Sequence, residues 1–317
     1  MESRITISEV SDTIGLSRQT IHSKLHKKGI RSLRSGKITY LTHKESRALF
    51  KPAFNLKKIA FHHIKGGVGK TTSTDHIGSC LSLLGARVLL IDADFQKNLT
   101  SRMNISSQMV DKTPVLVDLI LDNGTVFDAI LKIESGIDII PSRFENATLD
   151  SVLTDNKIDL ISILNQIIHP VEQYYDFILI DCPAMLGKLV TAVNLYANTI
   201  ICPINPENHS IEGLETIKKE FINIEKRYCR NIHYKIYLNK FNGNTIISNS
   251  VVANTIQKEL KSGNAYDIVV RESQEINNAL KEKKNMFHFS KKSDVKSDFI
   301  NLTKRILKLD HSFAKGI

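Results

Sequence analysis

At 317 residues, 42% of them hydrophobic, the chain is long enough to bury a full core, and one large α/β domain with an appendage is the default organisation. No apolar run reaches the ~18 residues of a membrane span, and Met1-Glu2-Ser3-Arg4 lacks a signal peptide's apolar region, so a cytoplasmic protein is expected. The net charge of +10 is uneven: residues 1–57 carry 12 Lys and Arg against 4 Asp and Glu, residues 58–217 carry 11 against 19, and residues 218–317 carry 20 against 10. Basic ends point to an anionic polymer as partner, because each phosphate contact releases counterions; a solvated lysine-rich surface is the plainer reading.

Thr6-Ile7-Ser8-Glu9 fits a capping box, Val10 and Ile14 make an apolar i, i+4 pair, and Gly15 stops the helix they predict. After the tight turn Gly15-Leu16-Ser17, Ser17 caps a second helix over Arg18 to Lys28, with Ile21 and Leu25 facing inward and Gly29 ending the run. Helix, short glycine turn, helix is the helix-turn-helix signature. The outward side chains Arg18, Gln19, Thr20, His22, Ser23 and Lys24 are of types that reach base edges or phosphates. A helical hairpin without DNA contacts is the alternative. Lys37-Ile38-Thr39-Tyr40-Leu41 predicts one strand of a small wing, and Thr42 with Glu45 caps a third helix ending near Phe50. Pro52 disfavours helix at Lys51. The chain therefore divides into a helix-turn-helix unit at 1–50, a linker at 51–57 and a larger domain at 58–317.

Lys58-Ile59-Ala60-Phe61-His62-His63-Ile64 reads as a buried strand and Ser73 to Leu84 as a helix, with Ile77, Leu81 and Leu84 at helical spacing. Between them lies Lys65-Gly66-Gly67-Val68-Gly69-Lys70-Thr71-Thr72. Glycines without Cβ atoms let backbone N–H groups wrap a polyphosphate, and the following helix adds its free N–H groups and positive dipole end. Lys70 then reaches the β- and γ-phosphates and the Thr71 hydroxyl holds Mg²⁺. The strict phosphate-loop pattern fails by one residue: Ile64 stands where its first glycine belongs, and a second lysine, Lys65, opens the loop. This variant resembles the deviant Walker loop of the ParA/MinD family of ATPases. The resemblance implies that Lys65 crosses to the nucleotide of a partner subunit, and so a nucleotide-sandwich homodimer.

Arg87-Val88-Leu89-Leu90-Ile91-Asp92-Ala93-Asp94 is a second buried strand, with two carboxylates emerging at the carboxyl edge where ligands sit in open α/β sheets. The following Phe95-Gln96-Lys97-Asn98-Leu99-Thr100 is similar to the family's first switch, with Phe95 where the family has proline. By that resemblance Asp94 orients or deprotonates the attacking water, and Asp92 supports the metal shell. A helix-capping pair of aspartates is the competing reading. Residues 137–142 read as a strand and 158–168 as a helix. Tyr174 to Asp181 is a third buried strand, and Asp181 is a candidate for holding Mg²⁺ through a coordinated water. Cys182-Pro183-Ala184 replaces the family's two prolines in the second switch. Residues 199–204 and 232–238 continue the sheet, and Asn239 is the candidate for contacting adenine, with a simple turn as the alternative. Cys80, Cys182, Cys202 and Cys229 have no C-x-x-C spacing and read as reduced thiols in or near the core, unlike the iron–sulfur relatives in this superfamily.

In the tail, Lys281 to Lys284, Lys291-Lys292 and a helix from Asp294 to Leu309 carry the positive charge. Phe299, Leu302, Ile306 and Leu309 form its apolar stripe, leaving Lys296, Lys304, Arg305 and Lys308 nearer solvent and Lys304 and Arg305 as candidates for DNA contact. The expected fold is α/β, a doubly wound, mostly parallel P-loop NTPase sheet with a small N-terminal winged helix-turn-helix domain. That N-terminal arrangement resembles the DNA-binding segment of larger ParA-type partition ATPases, and also excisionase or MerR-like readers. The resemblance implies ATP or ADP with Mg²⁺ at Gly66, Gly67, Val68, Gly69, Lys70, Thr71 and Thr72. It also implies weak hydrolysis stimulated by a ParB-like centromere-binding protein, binding to non-specific and operator DNA, autorepression, and residence on the nucleoid, with a plasmid as the favoured cargo. Two other readings stay open: a nucleotide-sensing repressor without a transport role, and a MinD-like membrane-positioning ATPase, the latter opposed by Asp294, Asp298 and Asp310 on the tail helix.

Overall fold

The computed structural model describes residues 2–52, 54–242, 250–289 and 293–308. Strands β1 (Ile5–Thr6), β2 (Leu33–Ser35) and β3 (Ile38–Leu41) form a small antiparallel sheet in the order β1-β3-β2. Eight further strands follow: β4 (Lys57–Phe61), β5 (Val88–Asp92), β6 (Leu131–Glu134), β7 (Ile137–Ile140), β8 (Phe177–Asp181), β9 (Thr199–Ile204), β10 (Tyr234–Phe241) and β11 (Ala265–Arg271). They make one sheet in the order β11-β10-β9-β4-β8-β5-β7-β6. Its pairings are parallel apart from β6 with β7, which is the mostly parallel α/β architecture expected. The register pairs Phe61 with Asp181 and Asp181 with Asp92, so three strand ends finish side by side at one edge.

Alternation along the central strands builds two cores. Ala60, Leu89, Ile91, Ile178 and Ile180 face one apolar cluster, while Ile59, Phe61, Val88, Leu90, Phe177 and Leu179 face the other. The second cluster is filled by the helix Lys70–Leu83, buried around most of its circumference, and by the helix Asp294–Leu307. Ile5, Val10, Ile14, Ile21, Leu25, Leu41 and Leu49 from the N-terminal segment belong to that same cluster. The N-terminal unit thus packs on the face of the sheet that carries the P-loop helix.

Its local structure follows the capping chemistry. Thr6 and Glu9 form a capping box for the helix Ile7–Ile14, which Gly15 closes at φ 71°. Ser17 caps the helix Arg18–Lys27 through Thr20 N–H, with Ile21 and Leu25 buried. Further contacts tie the unit down. Arg47 Nη1 donates to Gly85 O at 2.5 Å and to Asp176 Oδ2 at 3.1 Å, and the ring of His43 bonds to Ser82 O through Nδ1 at 3.0 Å.

Several expectations are corrected. Lys296 is 2% exposed, not near solvent: its ammonium lies 3.2 Å from Glu9 Oε1 and donates to Phe289 O at 2.9 Å, because the helix Ile7–Ile14 covers that face. Asp298 is also buried, in a two-bond pair with Arg271 at 2.8 and 2.9 Å. Cys229 is exposed at the end of the helix Asn208–Tyr228, while the other three cysteines are buried. The helix expected over 158–168 forms as Ile163–Glu172, after a turn in which Asp159 Oδ1 accepts Ile161 N–H. The strands β6 and β11 escaped the sequence reading because edge strands are only half covered and carry a weak apolar signal. Lys291, Lys292, Leu309 and Asp310 lie outside the described residues. Among the described residues no helix is long and apolar enough to cross a membrane.

Candidate active site

The loop after β4 is braced from several sides. Gly67 and Gly69 take positive φ values of 75° and 99°, and a Cβ on Gly69 would sit 2.2 Å from Asn239 Nδ2. Glycine is therefore needed at residue 69 for its backbone and for its space. Asn239 Nδ2 donates to Val68 O at 2.7 Å, and Ser73 Oγ donates to Gly69 O at 2.6 Å while also bonding the Tyr237 hydroxyl. Asn239 is 5% exposed, and its amide donor holds the loop closed. The same residue also lines the cavity beside the loop. His63 works from the other side: Nδ1 accepts Lys65 N–H at 3.0 Å, which leaves Nε2 to donate to Ser210 O at 3.0 Å. Burial pushes the His62 and His63 imidazoles down to about 3 and about 4, so both stay neutral, His63 holding the loop and His62 bonding Met185 O through Nε2 at 3.3 Å.

Three carboxylates cluster behind the loop, and two of them, Asp94 and Asp181, act on Lys70. Asp92 is fully buried and fully used: Oδ2 accepts Thr100 N–H and hydroxyl at 2.8 and 2.7 Å, and Oδ1 accepts Asp94 N–H at 3.2 Å. It shapes the switch and offers no free oxygen to a metal. Asp94, 8% exposed, accepts Gln96 N–H at 3.0 Å through Oδ1. Asp181 is buried with neither oxygen hydrogen-bonded among the described residues. A buried carboxylate with nothing to favour its charge beyond the nearby Thr71 hydroxyl and Lys70 ammonium is placed to receive a cation. Among the described residues no group of three His, Cys, Asp or Glu side chains could hold a metal by itself. Mg²⁺ would therefore depend on Asp181, the Thr71 hydroxyl and phosphate oxygens, which suits its preference for few protein ligands. Burial lowers the Lys70 ammonium's pKa, and Asp181 with Asp94 pulls it back towards the charged form.

Burial pushes the Asp92 carboxyl up to about 7 and the Asp181 carboxyl, with the Asp92 charge adding to it, up to about 8. A raised acid holds its proton longer folded than unfolded, so its contribution to stability is fully present below the unfolded value and is lost progressively as pH climbs from there through the folded value. Asp181→Asn is expected to raise the melting temperature of nucleotide-free protein at pH 8, and to raise it by less at pH 6, which is nearer the unfolded value. The same substitution should erase any stabilisation by Mg²⁺ with nucleotide. Melting curves at the two pH values check both, and a lower melting temperature for the variant at pH 8 would contradict the ionisation argument.

Gly66, Gly67, Gly69, Lys70, Thr71, Thr72 and Asp94 line one cavity of about 520 Å³. Val68, the remaining loop residue, is fully buried beneath it. Asn239 lines the cavity as well. Arg102, Lys240, Arg271, Ile276, Asn277 and Leu280 form more of the wall. Sequence reasoning missed all six, since they come from four separate places and have no common spacing. A larger hollow of about 650 Å³, between Lys157 and Tyr228, contains none of the loop residues and has no phosphate-binding turn.

A family model described as an AAA domain matches residues 56–236, more than half of the chain. The chain belongs to the ParA-type P-loop ATPases. The sporulation initiation inhibitor protein Soj of Bacillus subtilis is 35% identical over 162 residues, covering 51% of this chain and 63% of that protein. The chromosome partitioning protein ParA of Caulobacter vibrioides is 31% identical over 173 residues, covering 52% of this chain and 61% of that protein. The chain thus spans less than two thirds of the length of these relatives. A plasmid partition protein of Borrelia burgdorferi bound to AMPPNP shares the fold with a TM-score of 0.65 at 22% identity, covering 80% of this chain and 99% of that one.

In this ParA-type chain the loop's opening lysine is engaged within its own subunit. Lys65 Nζ is ion-paired with Glu207, on a contact open to water. The residues singled out for DNA lie apart from the cavity. Gln19, Thr20 and Lys24 border a shallow hollow with Ser23, Lys27 and Lys28, His22 is exposed beside them, and Arg18 donates to Ser8 Oγ at 2.6 Å. On the tail helix Arg305 pairs with Asp267 at 3.0 Å, and Lys304 is half-buried with its pKa lowered by burial. Those two residues have local neighbours to satisfy before they can meet a phosphate.

Proposed function

We propose that this chain is a DNA-partition ATPase whose nucleotide-bound form is a dimer on DNA and whose hydrolysis releases it. The observation that carries the reading is the convergence of Lys70, Thr71 and Asp94 on one cavity at the carboxyl edge of β4, β5 and β8, with the buried Asp181 beside Lys70 and Thr71. The loop N–H groups and Lys70 bind the phosphates of ATP, and Asp94 orients the attacking water, which yields ADP and phosphate. Thr71 and Asp181 would hold Mg²⁺, which would supply positive charge to offset that of the phosphates. Lys65 leaves Glu207 to reach the partner's nucleotide. The apolar Ile276 and Leu280, with the Asn277 amide, form the end of the cavity suited to a base. The N-terminal unit at 1–50 reads operator DNA through Arg18, Gln19, Thr20, His22 and Lys24, and Lys304 and Arg305 add sequence-independent contacts. Soj and ParA among the relatives support a ParB-like partner that accelerates hydrolysis.

A second reading is favoured by the docking of the N-terminal unit against the P-loop helix, through His43, Ser82 and Arg47. In it the chain is a repressor that senses ATP or ADP and gains little from turnover. ATP hydrolysis measured with DNA and the ParB-like partner, together and apart, separates the two. Partition predicts turnover that rises several-fold with both present and falls to background in Asp94→Ala. Turnover indifferent to both, with function intact in Asp94→Ala, would leave the sensor.

A further inference from the structure

Arg102 ends a short helix, Asn98–Arg102, that starts just after the Asp94 turn. That helix is held firmly. Thr100 donates twice to the buried Asp92, and its hydroxyl oxygen accepts Ser142 N–H at 2.9 Å. From this anchored turn the Arg102 guanidinium reaches the P-loop helix and donates from Nη1 to Thr72 Oγ1 at 3.1 Å. It lines the cavity together with Lys70, Thr71 and Thr72.

The rest of its hydrogen-bonding capacity is unspent. A guanidinium carries five N–H donors in a planar fork, and among the described residues Thr72 is its one hydrogen-bond acceptor. Arg87, Arg143, Arg271 and Arg305 each have a carboxylate within 3.0 Å, whereas no described carboxylate lies within ion-pair distance of Arg102. A half-buried, unneutralised cation beside a glycine loop and a helix N-terminus adds to a site already built for anions.

We propose that Arg102 is a nucleotide-binding residue, supplied by the chain's own switch segment, that holds a phosphate next to Thr72. The proposal rests on the nucleotide reading of the loop. Lys70 and Thr71 take the terminal phosphates and the metal, so the phosphate beside Thr72, one residue further along the helix, is one that ADP and ATP share. Arg102 therefore tightens both nucleotides alike and does not discriminate between them. Because the same segment carries Asp94, the contact also ties the switch to whichever nucleotide is bound.

The test compares the full chain with Arg102→Gln and Arg102→Lys. Glutamine can still donate to Thr72 but carries no charge. Equilibrium binding of Mg-ADP and of a non-hydrolysable Mg-ATP analogue is measured, with melting temperature in the absence of nucleotide. Arg102→Gln is expected to weaken both nucleotides by roughly ten-fold or more, the range of a hydrogen bond to a charged group. Arg102→Lys is expected to recover part of that loss, and the nucleotide-free melting temperature should hold in both variants. Unchanged affinity in Arg102→Gln overturns the proposal. So does a loss of affinity matched by a fall in nucleotide-free melting temperature, which would mean that Arg102 only holds the switch helix in place. If the parent chain binds neither nucleotide while remaining folded, the loop reading itself falls and Arg102 with it.

Discussion

Lys70→Ala is expected to lower ATP turnover by roughly 10²–10³-fold, the scale seen when one preorganised charge or donor is removed from a water-excluded site. The ammonium sits between Asp94 and Asp181, in a place where burial opposes its charge and these carboxylates sustain it. Once it is gone, the phosphates of ATP would approach these carboxylates with no buried lysine between them. Nucleotide affinity should therefore fall along with turnover. The fold should survive, because Asp181 is already pushed up to about 8 and can remain protonated near neutral pH. Turnover assays and equilibrium nucleotide binding on folded protein check this, and a variant within a few-fold of the parent in both would remove Lys70 from the site.

Lys296→Ala should be the most destabilising of the substitutions considered, by about 3–5 kcal/mol, because it strands Glu9 as a buried charge. The two side chains are 2% and 3% exposed, and Glu9 Oε1 has no hydrogen-bond partner among the described residues. The ammonium at 3.2 Å is what compensates that oxygen. A paired replacement, Glu9→Leu with Lys296→Met, should recover most of the loss, since apolar residues of similar volume suit the same place. Urea unfolding of the parent chain and the two variants reads the effect directly. A cost for Lys296→Ala below ~1 kcal/mol, the range of an exposed pair, would mean that water reaches the contact. The pair joins the helix Ile7–Ile14 to the helix Asp294–Leu307, so the same measurement reports how firmly the N-terminal unit is seated on the ATPase core. Removing residues 1–50 would also strip Ile5, Val10, Ile14, Ile21, Leu25, Leu41 and Leu49 from the apolar cluster they share with the ATPase core, and a truncated chain is expected to lose stability for that reason.

The phosphate loop, the two switch aspartates and Asp181 were legible because each is a contiguous signal. Wrapping a phosphate needs neighbouring N–H groups on one short stretch, and a buried parallel strand announces itself as an unbroken apolar run ending in the residue that meets the ligand. The N-terminal helices were legible for a similar reason, since caps and glycine stops act over a few residues. Tertiary structure decided the rest. Asn239 became a brace because β10 ends beside the loop, Arg102 entered the cavity because Asp92 pins its helix, and Lys296 was buried because the N-terminal unit covers it. Local sequence sets the backbone a residue can adopt and the charge it carries; which partner neutralises that charge depends on surfaces brought together from as far apart as Glu9 and Lys296.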